Sequence, residues 1–417
     1  MGKCCGNINE NAFKPDDPCN PPSHGCTGEK TNNKESANCP VTWFGNMIQN
    51  CYEYATDAKS KGKHIVGIMC EYTPRELIMA ADGIPVCLCG GSAEMIPPAE
   101  EHLPANLCPL IKSTFGYNIK KTNPFIEMAE LIVAETTCDG KKKMYELMGQ
   151  TRNVHILELP QKPDDQDAMS HWLSQLRNLK AKLEELFNVD ITDEKIRQAI
   201  RTMNKERQLR RELAELMKSQ SPSLTGRQLL DFKSSISGIC ADFQQYSNAL
   251  NMYKNQVAKP GKTSPVRVLL TGVPIVHGAE RVLDIIESGD GLVVAMDNCT
   301  GLKPILEDVD ENADDPITAL AQKYLNLPCS VMTKNNRRMD ILRQMAADYK
   351  PDCIIELIWQ ACITYDVESY FVKKLAEEQL GIPYLRIETD YSPSDSARIG
   401  LRVEALFETV RERSVCK

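Results

Sequence analysis

Six cysteines carry the chemical signal of this 417-residue chain: Cys70, Cys108 and Cys138 in its first half, and Cys299, Cys329 and Cys362 in its second. Apolar runs over 64–70, 131–138, 292–299 and 353–362 each read as a buried strand that ends in a thiol. Cys108 and Cys329 sit in proline-flanked loops, and Cys108 and Cys138, like Cys299 and Cys329, stand 30 residues apart. Ligands of open α/β sheets gather beyond the carboxyl ends of the strands, so thiols placed there by two halves can converge on one point. Convergent thiolates bind soft metals, and iron-sulfur clusters are the expected cargo. A lone cysteine at a strand end is usually a small buried residue, and Cys51, Cys87, Cys89, Cys240, Cys353 and Cys416 are read that way. Cys89, which also ends a strand, is the nearest competitor for a ligand role.

The elements that must position these thiols alternate. Over 42–165 helical and strand periods follow one another, with strands expected to end at Cys70, Cys89, Cys138 and Leu159, as a parallel sheet requires. The stretch 166–261 is helical, with one apolar stripe of Trp172, Leu173, Leu176, Leu179, Leu183 and Leu186. Thr192 is a helix cap, and Thr225 with Gln228 has capping-box spacing. It reads as a helical insert or linker. Alternation returns over 262–417, with strands near 266–270, 292–298, 354–359 and 384–388. The expected fold is therefore α/β, with two Rossmann-like parallel-sheet domains joined by a helical segment and a cluster in the interdomain cleft. Residues 1–41 form an irregular arm whose cysteines Cys4, Cys5, Cys19, Cys26 and Cys39 lack a C-x-x-C pair, so packing is preferred to a metal site there.

Composition removes several function classes. The net charge of −8 and a pI near 5.5 give no basic footprint for nucleic acid. No segment is long and apolar enough for a membrane span, no signal peptide is apparent, and Met1-Gly2 lacks the hydroxyl residue a myristoylation motif needs, so a cytoplasmic location is expected. Seventeen cysteines in such a chain then imply reduced thiols, metal ligation and oxygen sensitivity, hence anaerobic chemistry. The segment 260–264 imitates the end of a P-loop, but Gln256 stands where its first glycine belongs and a strand follows it. No G-x-G-x-x-G follows a strand, and the six histidines show no zinc-site spacing.

Two segments resemble a known family. The run from Cys70 through Pro74, Glu76 and Gly83 to Pro85 is similar to the amino-terminal signature of the 2-hydroxyacyl-CoA dehydratase and benzoyl-CoA reductase family. Gly381, Pro383, Glu388, Asp390 and Tyr391, followed by Leu401, Arg402, Glu404 and Phe407, resemble its carboxyl-terminal signature. The resemblance covers most of 42–417. It implies two α/β domains, an iron-sulfur cluster at their cleft and electrons from a separate ATP-hydrolysing activator with its own [4Fe-4S] cluster.

Three thiols serve one [4Fe-4S] cluster in ordinary dehydratase subunits of the family, whereas this chain has six. That set resembles the double-cubane branch, in which two [4Fe-4S] units share a sulfide as [8Fe-9S]. The resemblance thus implies an ATP-dependent iron-sulfur oxidoreductase, a homodimer, that reduces small molecules at the double-cubane cluster held by Cys70, Cys108, Cys138, Cys299, Cys329 and Cys362. Glu71, beside Cys70, is the nearest acidic residue for a catalytic proton. The alternative is a 2-hydroxyacyl-CoA dehydratase subunit with a single [4Fe-4S] cluster, and a third reading is an electron carrier without a substrate.

Overall fold

The computed structural model describes residues 39–254 and 264–415. Most of the expected arm, including Cys4, Cys5, Cys19 and Cys26, lies outside these residues, as do Cys416 and most of the P-loop-like segment. Two four-stranded sheets, parallel throughout, form the frame. The first holds β1 (His64–Ile68), β2 (Gly83–Cys87), β3 (Leu131–Glu135) and β4 (Val154–Leu157) in the order β2-β1-β3-β4. The second holds β5 (Val266–Gly272), β6 (Gly291–Asp297), β7 (Cys353–Trp359) and β8 (Tyr384–Thr389) in the order β6-β5-β7-β8. The two orders are the same, so β5 to β8 repeat β1 to β4 one for one. Strands β3, β5, β6 and β7 are buried at every position, which is why they read as continuous apolar runs rather than alternating ones.

In the first half, α1 (Met47–Ser60) precedes β1, α2 (Arg75–Ala80) joins β1 to β2, α3 (Pro109–Lys120) follows the Cys108 loop, and α4 (Asp139–Met148) follows β3. The long helices α5 (Ala168–Phe187) and α6 (Asp193–Glu215) come next, then α7 (Cys240–Lys254). The second half contributes α8 (Pro316–Leu325), α9 (Asn336–Tyr349) and α10 (Ile363–Lys374). Thr192 caps α6 through its hydroxyl, and the Thr225–Gln228 capping box is present.

The helical stretch is packed structure rather than a tether. Trp172, Leu176, Leu179 and Leu183 of α5 are buried in one core with Val66, Ile68, Leu131 and Val133 of the first sheet. Leu320 and Tyr324 of α8 enter the same core, so the second half helps close the first sheet. Leu186, expected in the stripe, is exposed, and Leu173 is half-buried. Among the described residues no helix is long and apolar enough to cross a membrane.

Candidate metal centre

Five of the six cysteines lie just past a strand or at a helix start, and Cys329 lies in the loop between α8 and α9. Cys70 follows β1 by two residues, Cys138 follows β3 by three, Cys299 follows β6 by two, and Cys362 follows β7 by three. Cys108, Cys138 and Cys362 are the N-caps of α3, α4 and α10. The expected strands end two to three residues early, because each strand gives way to the turn that opens the next helix. The helix behind Cys108 was hidden in the sequence by the loop character of its approach. Its one local signal is Pro109 at the first helical position, where a missing N–H costs nothing.

The N-cap position matters chemically. A helix start offers unpaired backbone N–H groups and the positive end of the helix dipole, both of which favour a thiolate. The amides of Leu110 and Ile111 hydrogen-bond Cys108, that of Lys141 bonds Cys138, and that of Tyr365 bonds Cys362.

In space the six thiols regroup across the halves. Cys108 and Cys362 share a hydrogen bond between their sulfurs, and Cys138 lies within Coulombic reach of both. Cys70 interacts with Cys299 and Cys329, which also interact with each other. Cys329 reaches Cys138 as well, so the two groups adjoin. One group is therefore Cys108, Cys138 and Cys362, and the other is Cys70, Cys299 and Cys329. Each takes two members from one half and one from the other. Burial raises Cys70 well above the ordinary thiol range, and it lifts Cys299 to about 11, so without metal these sulfurs hold their protons.

The strand repeat adds a point that spacing alone conceals. Because β2 corresponds to β6 and β3 to β7, the counterpart of Cys299 is Cys89, and that of Cys362 is Cys138. Cys70 follows β1 by two residues, and the equivalent place after β5 is held by Pro274. The matching 30-residue spacings are thus not equivalent positions. Cys89 donates to the Met69 carbonyl at 3.6 Å, pairs with Cys87 through their sulfurs, and lies within Coulombic reach of Cys70.

Two lysines outside every sequence motif stand at the thiols, Lys303 buried and Lys141 half-buried. Lys141, three residues after Cys138, donates to the Met69 carbonyl at 2.6 Å. Burial disfavours its charge, but Tyr145, Cys70, Cys89 and Glu135 outweigh that and hold it firmly protonated. Lys303, four residues after Cys299, donates to the Tyr365 hydroxyl at 2.7 Å and is held protonated, against burial, by Cys299, Asp297 and Cys329. Nothing local marks a lysine in an otherwise solvated-looking helix turn as buried. Its distance from a strand-end cysteine is the only sequence signal.

The acids around the site divide sharply. Glu71 pairs with Arg75 at 2.8 Å. Burial pushes its carboxyl up, yet Arg75, Lys233 and Arg210 together bring it below the usual range, so it stays ionised. Glu135 at the end of β3 is pushed up to about 7 by burial, against the Thr73 hydroxyl that donates to it and the Lys141 charge. Its Oε2 has no hydrogen-bond partner.

Behind the second group stands a buried ionic hub. Arg338 has no exposed surface, and it donates to Asp297 at 3.0 Å, Glu356 at 3.2 Å, Thr271 at 2.8 Å and also to Glu368. Asn335 links this hub to the Cys329 turn, donating to the Cys329 carbonyl at 2.9 Å and to Glu368 at 2.7 Å. Asp297 is two residues before Cys299, and Glu368 lies on the helix that Cys362 caps.

Among the described residues no three His, Cys, Asp or Glu side chains close around a single metal ion. An iron-sulfur cube holds its thiolates several ångström farther apart than one ion does. Six soft donors, three of them at helix starts, with two neighbouring ammonium groups to offset anionic charge, fit such a cluster.

The model for 2-hydroxyglutaryl-CoA dehydratase, D-component, matches residues 70–410. Relatives include YjiM of Escherichia coli strain K12, whose name as a dehydratase subunit is provisional. It is 37% identical over 372 residues, covering 88% of this chain and 96% of that one. The (R)-phenyllactyl-CoA dehydratase beta subunit of Clostridium sporogenes is 23% identical over 376 residues, covering 88% and 97%. The beta subunit of (R)-2-hydroxyglutaryl-CoA dehydratase of Acidaminococcus fermentans is 22% identical over 365 residues, covering 84% and 94%.

Proposed function

The chain belongs to the 2-hydroxyacyl-CoA dehydratase family, and from that premise we propose that it is an iron-sulfur reductase component holding a double-cubane [8Fe-9S] cluster between its two sheets. The observation that carries this reading is the pair of adjoining three-thiol groups, each drawn from both halves. When bound, such a cluster supplies low-potential electrons for the reduction of a small molecule.

The chain's own residues have separable tasks in this reading. The six cysteines hold the metal, and the amides at the starts of α3, α4 and α10 direct N–H dipoles at three of the sulfurs. Lys141 and Lys303 balance negative charge in a site from which water is largely excluded. Glu135 is better suited than Glu71 to hold a proton, at its Oε2, because burial keeps it half-protonated near neutral pH while Glu71 is committed to Arg75. The energy for low-potential electrons enters through a separate ATP-hydrolysing activator with its own [4Fe-4S] cluster. For this activator and for a second copy of the chain, α10 offers a protein-facing surface. Ile363, Val367, Tyr370 and Phe371 are 55–67% exposed on the helix that Cys362 caps.

A second reading, a dehydratase subunit with one [4Fe-4S] cluster, is favoured by the names of the relatives. Iron analysis after anaerobic purification separates the two, with about eight irons per chain expected for the double cubane and about four for the single cube. With activator and ATP, the chain should reduce a small unsaturated or nitrogen-containing molecule and leave a 2-hydroxyacyl-CoA unchanged. Efficient dehydration of that thioester without a second subunit would overturn the proposal, and loaded protein with no turnover at all would favour an electron carrier.

A further inference from the structure

On the far side of the Glu71–Arg75 turn, α2, α6, α8 and the loop 233–237 enclose a cleft of about 480 Å³, counting its open mouth. The loop is pinned to β2, where Cys87 N–H donates to the Ser235 carbonyl at 2.8 Å and Val86 bridges Ile236. Five cationic side chains line it: Arg75, Arg207, Arg210, Lys233 and Lys323. The three arginines have carboxylates. Arg75 pairs with Glu71 at 2.8 Å, Arg210 with Glu206 at 3.7 Å, and Arg207 with Glu76.

The two lysines have none. Among the described residues no carboxylate lies within ion-pair distance of either. Lys323, 7% exposed, donates to the Pro304 carbonyl at 3.0 Å and sits over the Tyr324 ring. Lys323 is buried and Lys233 half-buried, and an ammonium group removed from water with no direct ion pair is unfavourable unless something else supplies a counter-charge. The cleft is also the meeting point of the first sheet's turn, the helical insert and the second half, so whatever fills it touches all three.

We propose that this cleft is a binding site for a compact oxyanion, a phosphate or a small carboxylate, held between Lys233 and Lys323. The proposal is independent of the metal at the thiols. Protonation adds a signature. Burial first, then Arg207, and Arg75 more weakly, push Lys323 down to about 7 against the opposing pull of Glu76 and Glu71. Burial likewise lowers Lys233, against the pull of Glu71, with Arg210 and Arg75 adding to the lowering and Cys87 opposing it. An arriving anion favours the charged lysine, so binding above neutral pH takes up protons.

Calorimetric titration of the full chain with inorganic phosphate, and separately with succinate, tests this. Saturable binding of at least one is expected, weakened about tenfold or more by Lys323→Met and by Lys233→Met, while exposed Lys59→Met leaves it unchanged. At pH 8 the measured heat should vary with the ionisation enthalpy of the buffer, as proton uptake demands. Preference between the two probes assigns the site to phosphoryl or carboxylate ligands. Circular dichroism confirms that each variant is folded, and should a methionine variant unfold, Lys→Gln at the same position replaces it. Failure of both anions to bind at 10 mM, or binding that survives both lysine substitutions, would overturn the proposal.

Discussion

Replacing Arg338 by methionine should loosen the second half of the site without touching a thiol. The guanidinium is wholly buried and serves three carboxylates, so the substitution leaves Asp297, Glu356 and Glu368 without their shared cation. Breaking a buried pair in this way costs about 3–5 kcal/mol, since the orphaned charge stays desolvated. In a unit of this size each kcal/mol moves the melting temperature by about 2–4 °C, which gives a fall of about 6–20 °C. Burial already holds Glu356 above its ordinary range with Arg338 present. Without the guanidinium the carboxyls are driven further toward protonation, so the deficit should shrink between pH 7.5 and pH 5.5. Differential scanning calorimetry of the metal-free chain at those two pH values reads both effects. Because Asn335 couples the hub to the Cys329 carbonyl, reconstituted Arg338→Met should also hold less iron. A melting shift below about 2 °C, or a deficit that grows on acidification, would refute the view that the hub is held by charge pairing.

Three further outcomes are expected. Cys108→Ala and Cys329→Ala should each lower bound iron and bleach the thiolate-to-iron absorption, whereas Cys87→Ala should leave both nearly unchanged; full iron content after loss of Cys329 would remove it from the ligand set. Asp242, buried and accepting the Trp43 N–H at 2.8 Å, is raised by burial to about 6 from 3.8. A raised carboxyl stabilises the fold fully below about pH 3.8 and loses that contribution as pH climbs through 6. Asp242→Asn should therefore be more stable than the parent at pH 8, by up to roughly 3 kcal/mol at 1.36 kcal/mol per pKa unit, with the advantage gone near pH 4. An urea-unfolding series across pH checks this, and equal stability at pH 8 would contradict it. Finally, the purified chain free of activator should not hydrolyse ATP, since the P-loop-like segment lacks its first glycine; a phosphate-release assay showing turnover would disclose a nucleotide site.

The fold was largely legible because fully buried parallel strands leave unbroken apolar runs, as in β3, β6 and β7. Strand-end thiols were legible for the same reason, because the run stops where the carboxyl edge begins. Two things were not. The 12-residue helix behind Cys108 carries few of the periodic cues of an amphipathic surface helix, since Leu110 through Gly116 are buried on nearly every side. The grouping of thiols depends on how the two sheets face each other, and no local pattern encodes that. Chain order suggested Cys70 with Cys108 and Cys138, while the packing brings Cys70 to Cys299 and Cys329. Lys141 and Lys303 were missed because a lysine's charge reads as solvent-facing until its neighbours are known.

The crossing of the thiol groups between the halves imposes an order in time. Cys108 and Cys138 leave the ribosome more than two hundred residues before Cys362, and Cys70 precedes Cys299 by a similar stretch. A nascent first half can present at most two sulfurs of one group and a single sulfur of the other. In the proposed assignment, loading with metal therefore waits until the last third of the chain has been made and the two sheets have met. A cluster held by both groups of thiols would also act as a clasp, resisting any motion that parts the sheets.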